Sequence, residues 1–146
     1  ASLITVHGRT KDKIYAGEVN FREIEKAKNA VKIPVIANGG VFSKEDCEEL
    51  LKKTGADGVM VARASLFNPQ IFAELTDTPT QSKLEAFEKQ LKWTRSLCDE
   101  RFTTVFMRKM AAFYVKGEKG AAAYKDRLFS AQTPEEILAI AQEMWG

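Results

Sequence analysis

The sequence predicts an α/β fold for its first half and an all-α continuation for its second. Up to about residue 79, short β-rich apolar runs alternate with helical patterns, the signature of βα units on a parallel sheet. Each run opens into a loop of polar or small residues. After Pro79 no such run recurs, and apolar residues return only at helical spacing.

Taken in order, Leu3–Val6 reads as the first strand. Asn20 then caps a helix carrying Phe21, Ile24, Ala27 and Val31 toward the sheet, with Glu23 placed for a capping box. Ile33–Ala37 is the second strand. Ser43 caps the next helix, Cys47, Leu50 and Leu51 share its inner face, and Thr54-Gly55 marks its end, so Cys47 reads as a core residue. Gly58–Ala62 is the third strand, and all three read as apolar on both faces. The Asn68-Pro69 step opens a short helical stretch that reads as a link.

Beyond a boundary between Thr76 and Thr80, Leu84, Phe87 and Leu91 mark one helix. A second runs from about Phe102 to Lys116, with Phe106, Met110 and Phe113 as its apolar stripe. Gly117 and Gly120 separate it from a third around Tyr124 and Leu128. In the last, Thr133 is the N-cap, Pro134 the first helical residue and Glu136 the third.

Composition narrows the class. The 146 residues are 45% hydrophobic and 29% charged, as in a soluble globular protein. There is no run of about 18 apolar residues, and the start lacks the order of a secretory signal, so a cytoplasmic location without membrane association is expected. Cys47 and Cys98 lie far apart with no CxxC or Cys/His spacing, which points to reduced thiols and no metal site. The net charge of +2 is unevenly spread: residues 1–79 hold 11 basic and 11 acidic residues, whereas residues 101–127 hold seven basic and two acidic. Interleaved with Phe102, Tyr114 and Tyr124, that basic stretch reads either as a solvated face or as a surface for phosphates and bases.

In parallel α/β sheets, ligands sit at the carboxyl ends of the strands. Three loops there read His7-Gly8-Arg9-Thr10, Asn38-Gly39-Gly40 and Arg63-Ala64-Ser65. The glycine pair is either a tight turn or a backbone cradle for an anion, and Arg63 after the next strand favours joint phosphate binding. His7, the only histidine, is either a hydrogen-bonded structural residue or a contact to a ligand in the cleft opened by residues 11–20.

In this order the motifs resemble the tRNA-dihydrouridine synthases. They are Val6-His7-Gly8-Arg9-Thr10 with Tyr15 and Gly17, Ile33 to Gly39, Thr54 to Met60 with Arg63, Asn68-Pro69, and Met107-Arg108-Lys109 with Tyr114 and Lys116-Gly117. The resemblance implies the C-terminal βα units of a TIM (β/α)8 barrel, incomplete in this chain, spanning 1–79, and a helical tRNA-binding domain spanning 80–146. It implies an FMN-dependent enzyme that uses NAD(P)H to reduce uridine in tRNA to 5,6-dihydrouridine.

Residue by residue, the resemblance implies that His7, Asn38, Gly39, Gly40, Ala62 and Arg63 hold FMN, chiefly its phosphate. It also implies that Arg9, Arg108, Lys109 and Lys116 face the tRNA. The sequence departs from the family pattern at Gly40, Ala62 and Met110, where Asp, Gly and His are usual, and at Lys13, where Gln is frequent. The family's catalytic cysteine belongs to a loop of the first half of the barrel. Neither Cys47 nor Cys98 stands in that context, so the chain reads as a fragment without a catalytic residue, inactive in isolation. Two alternatives are another flavin- or phosphate-binding barrel oxidoreductase, such as one acting on dihydroorotate, and a noncatalytic RNA-binding module.

Overall fold

The computed structural model describes residues 1–13 and 16–146; Tyr15, part of the first motif, lies outside the described residues. The chain forms two compact units, Ala1–Ser65 with Ile71–Thr78, and Leu66–Gln70 with Pro79–Gly146. The second unit thus takes in Leu66–Gln70, a segment that the sequence groups with the first. Among the described residues no helix is long and apolar enough to cross a membrane.

In the first unit β1 (Ile4–His7), β2 (Val35–Asn38) and β3 (Gly58–Met60) form a parallel sheet in the order β1-β2-β3. The second strand starts later than expected because Pro34 has no N–H to give a ladder; its carbonyl accepts from Ile4 N at 3.0 Å. Val6, Ala37 and Val59 lie in register on one face, packed with Ile24 and Leu50 of the two helices that follow β1 and β2.

Those helices, α1 (Phe21–Ala30) and α2 (Lys44–Thr54), are set by local hydrogen bonds. Ser43 and Asp46 close a full capping box on α2, and Gly55 at φ +64° takes the left-handed position after it. At α1, Asn20 accepts from Glu23 N, but the Glu23 carboxylate turns to Lys26, so the expected box is half formed. Cys47 is half-buried and packs against the core beneath α2, and burial, with Glu48 nearby, raises the pKa of its thiol.

The strands are not buried on both faces as their apolar runs suggest. Thr5, His7 and Met60 on the other face are exposed, Met60 by 46%, because α1 and α2 cover only one side of the sheet. Asp57 fixes register at the strand starts: its amide donates to Val35 O at 2.9 Å, and its carboxylate accepts from Val35 N at 2.7 Å. The same carboxylate meets Lys28 of α1 at 2.7 Å. A short turn, α3 (Ala64–Phe67), and α4 (Ile71–Leu75) follow β3, and Ile71 is fully buried.

The second unit is a cluster of α5 (Lys83–Leu97), α6 (Glu100–Tyr114), α7 (Ala121–Ser130) and α8 (Pro134–Trp145). Helix α6 begins earlier than the apolar pattern indicates, because Asp99 accepts from Phe102 N at 2.7 Å as its N-cap. Its buried face is Thr103, Met107, Met110, Ala111 and Tyr114, whereas Phe106 and Phe113 are only partly buried at the margins. The stripe expected on Phe106, Met110 and Phe113 is therefore rotated. The physical cause is that α5, α7 and α8 all pack on α6, so the buried arc is wider than one neighbour would impose.

Phe87, Tyr114 and Trp145 close this core with ring centroids 5.5 to 6.0 Å apart, mostly edge to face. The Tyr114 hydroxyl donates to Gln90 Oε1 at 2.8 Å, whereas Trp145 Nε1 is buried without a hydrogen-bond partner among the described residues.

Two predictions arise here. Phe87, fully buried, should cost about 3–5 kcal/mol on replacement by Ala, measured by chemical denaturation. Lys28 and the Val35 amide hold Asp57 below its ordinary pKa of 3.8, so its contribution is present above that value and lost as pH falls through the depressed one. Asp57→Ala should lower the melting temperature at neutral pH, and the gap to the native chain should close as the pH is brought down through the depressed pKa of Asp57.

Candidate functional site

At the carboxyl ends of the three strands a cavity of about 580 Å³ is lined by His7, Arg9, Asn38, Gly39, Gly40, Met60, Ala62 and Arg63, with Thr10, Lys11, Val41 and Phe42. His7, Asn38 and Met60 are register partners on the uncovered face, so strand pairing alone brings them side by side. Asn38 joins all three strands. Its carbonyl accepts from Gly8 N at 2.9 Å and from His7 Nδ1 at 3.1 Å, while its side-chain Nδ2 donates to Met60 O at 2.9 Å.

A carbonyl has no proton to give, so His7 Nδ1 carries the hydrogen. The neutral ring therefore offers Nε2 as an acceptor, and only the imidazolium offers a second N–H. That sharpens the sequence reading: the structural hydrogen bond and a ligand contact use different ring nitrogens and are compatible.

Gly39 at φ +129° and Gly40 at φ +75° adopt backbone that side chains disfavour, and a Cβ on Gly39 would meet the His7 ring at 3.4 Å. Gly8 is held more tightly still: a Cβ there would collide with Val19, which also packs under Gly39 and Gly40. Val19 is thus the apolar plug beneath the glycine turns, and nothing in its own spacing marked it. Phe42, outside every motif, and Met60, inside one but given no role, are further lining residues, both about half exposed.

The lining is electropositive. It contains Arg9, Lys11 and Arg63, and among the described residues no carboxylate. Arg9 Nε donates to Gly17 O at 2.9 Å, which ties the connection after β1 back toward the cavity. The Arg63 guanidinium stands 5.7 Å from the centre of the Phe42 ring. The Ala62 carbonyl is occupied by Ser65, through its amide at 3.1 Å and its hydroxyl at 2.7 Å, and is not left open to a ligand donor. Such a set suits an anionic ligand with an apolar portion.

The other expected site residues lie in the helical unit. Arg108 is half-buried: its Nη2 reaches Gln132 Oε1 at 3.5 Å, and its Nε is buried with no partner among the described residues. Lys109 and Lys116 are exposed and line a separate cavity.

Fold and site together define a parallel α/β protein with an electropositive cavity at its strand ends and a helical companion unit. The chain belongs to the dihydrouridine synthase (Dus) family, which it matches over residues 1–144. It is 37% identical to a probable tRNA-dihydrouridine synthase 1 of Synechocystis, over 93% of this chain and 41% of that protein. It is 28% identical to tRNA-dihydrouridine synthase B of Xanthomonas axonopodis pv. citri, over 97% of this chain and 46% of that protein. A shorter stretch, 49% of this chain and 21% of the relative, is 44% identical to tRNA-dihydrouridine synthase B of Pseudomonas syringae pv. tomato. The chain thus spans less than half the length of these curated relatives.

Asn38→Asp should test the strand-end junction. An isosteric carboxylate would face the Met60 carbonyl without a proton, costing about 1–3 kcal/mol at neutral pH by urea unfolding. The deficit relative to the native chain should shrink in acid, where a protonated Asp regains the donor.

Proposed function

We propose that this chain forms the phosphate end of the FMN site and the RNA-facing helical domain of a tRNA-dihydrouridine synthase. In this reading residues 1–79 belong to the C-terminal part of a TIM (β/α)8 barrel, and residues 80–146 are the tRNA-binding domain. The whole enzyme reduces uridine in tRNA to 5,6-dihydrouridine with NAD(P)H as reductant, in the cytoplasm. The observation that carries the reading is the convergence of His7, Asn38, Gly39, Gly40, Ala62 and Arg63 on one cavity without a carboxylate, in a member of the dihydrouridine synthase family.

A flavin mononucleotide fits this donor set. Two glycines at positive φ let backbone approach a phosphate without a Cβ in the way, and Arg63 supplies a cation with paired N–H groups. Met60, Phe42 and Val41 offer apolar surface for the rest of the ligand. When bound and reduced, FMN supplies the hydride for the uracil ring.

The residues of this chain bind and orient. Asn38 holds the His7 ring by Nδ1, leaving Nε2 to accept from, or when protonated donate to, the ligand. Gly40 in place of the usual Asp leaves backbone binding intact. Arg9, Arg108, Lys109 and Lys116 are assigned to the tRNA.

The proton for the uracil ring comes from a residue outside this chain. Cys47 belongs to the apolar cluster under α2, where its raised pKa keeps it a thiol, and Cys98 is the C-cap of α5. The family match argues against an unrelated flavin barrel, and the strand-end cavity argues against a purely RNA-binding module.

The test compares FMN with riboflavin, which lacks the phosphate, by quenching of flavin fluorescence on titration with the chain. FMN is expected to bind more tightly, and Arg63→Ala to weaken FMN by about tenfold while leaving riboflavin unchanged. Equal affinity for both flavins would overturn the phosphate assignment.

A further inference from the structure

Inside the helical unit lies a second cavity, of about 310 Å³, walled by Phe67, Phe113 and Phe129 and rimmed by Lys109, Lys116 and Lys125. Helix α6 and the residue just beyond its cap supply Lys109, Phe113 and Lys116; α7 supplies Lys125 and Phe129 at i, i+4. Phe67 meets Phe113 edge-on at 5.8 Å, and Lys116 Nζ lies 4.0 Å from the centre of the Phe67 ring. Phe129 is 56% exposed, a large ring left open to solvent at the mouth.

The charges are what single this cavity out. Three other cations of the unit are neutralised: Arg127 grips Glu143 with two bonds at 2.8 and 2.6 Å, Arg95 meets Glu135 at 2.5 Å, and Lys83 pairs with Glu118. Among the described residues Lys109, Lys116 and Lys125 have no carboxylate partner, although they converge on one opening. Three like charges around an apolar hole repel one another, and an anion placed among them relieves that cost.

A bare phosphate would leave the three rings unused, and an apolar peptide would leave the cations unused. A nucleotide uses both, with the base against the rings and the phosphate among the lysines. The volume sits at the lower end of small-ligand cavities, which run from about 300 Å³ upward, so it suits one nucleotide. Double-stranded RNA keeps its bases stacked inside the helix and cannot enter, which leaves an unpaired residue.

We propose that this cavity takes one unpaired nucleotide of a bound RNA. The proposal rests on the reading of the helical unit as RNA-facing and adds to it the chemistry that is recognised: a splayed-out base as well as backbone charge.

The experiment measures fluorescence anisotropy of the intact chain with labelled oligouridylate and with an abasic strand of the same length, across a range of salt. Phe129→Ala and Phe129→Leu should each weaken oligouridylate by about tenfold, with no change in salt slope and no effect on the abasic strand. Lys125→Gln should weaken both strands and reduce the salt slope by about 0.7. If the Phe129 variants bind oligouridylate like the native chain while Lys125→Gln is weakened, the domain binds RNA by charge alone and the nucleotide pocket is refuted. If the native chain binds neither strand nor tRNA, the RNA-facing reading falls and the pocket with it.

Discussion

Asn38 is the constraint on which the rest of the site depends. Through one carbonyl and one side-chain amide it fastens the end of β1, the loop that follows it and the end of β3 to β2. The strands are only three or four residues long, so their ladders are too short to fix the loop geometry unaided. With Asn38 in place, the His7 tautomer is set, Gly8 is drawn into close approach with Val19, and the glycine turn begins from a fixed point.

At the other end of the same strands Asp57 does a matching job, binding both backbone groups of Val35 and Lys28 of α1. Register is thus pinned at both ends by side chains of opposite character. The amide stands at the cavity and brings no charge; the carboxylate stands at the far end, where its charge is matched by Lys28. A carboxylate at the cavity would oppose Arg9, Lys11 and Arg63 and weaken the attraction for an anion.

The helical unit partitions its charge in a comparable way. Ion pairs between α5 and α8, and between α7 and α8, neutralise cations along the packed helices, while the lysines flanking Phe113 and Phe129 stay unpaired. The exposed pairs add little to stability, but they quench the field of the cations they hold.

Much of this was legible in the sequence because the forces involved act within a few residues. Ser43, Thr133 and Pro134 announce their helices by bonds that close three or four positions on, and Gly55 ends α2 for a reason internal to its own backbone. The loops carrying His7, Asn38-Gly39-Gly40 and Arg63 were legible as residue types that suit a ligand at strand ends. What the tertiary structure decided concerns groups far apart in the chain. Which sheet face lies uncovered depends on where α1 and α2 pack, and the centre of the α6 stripe depends on three neighbours. Val19 closes beneath the glycine turns, and Phe67 meets Lys116, only because the fold brings distant segments together. The sequence by itself determined the elements and the chemistry of the loops, through local hydrogen bonding and backbone preference. Burial and charge pairing, which are sums over non-local neighbours, determined where that chemistry points.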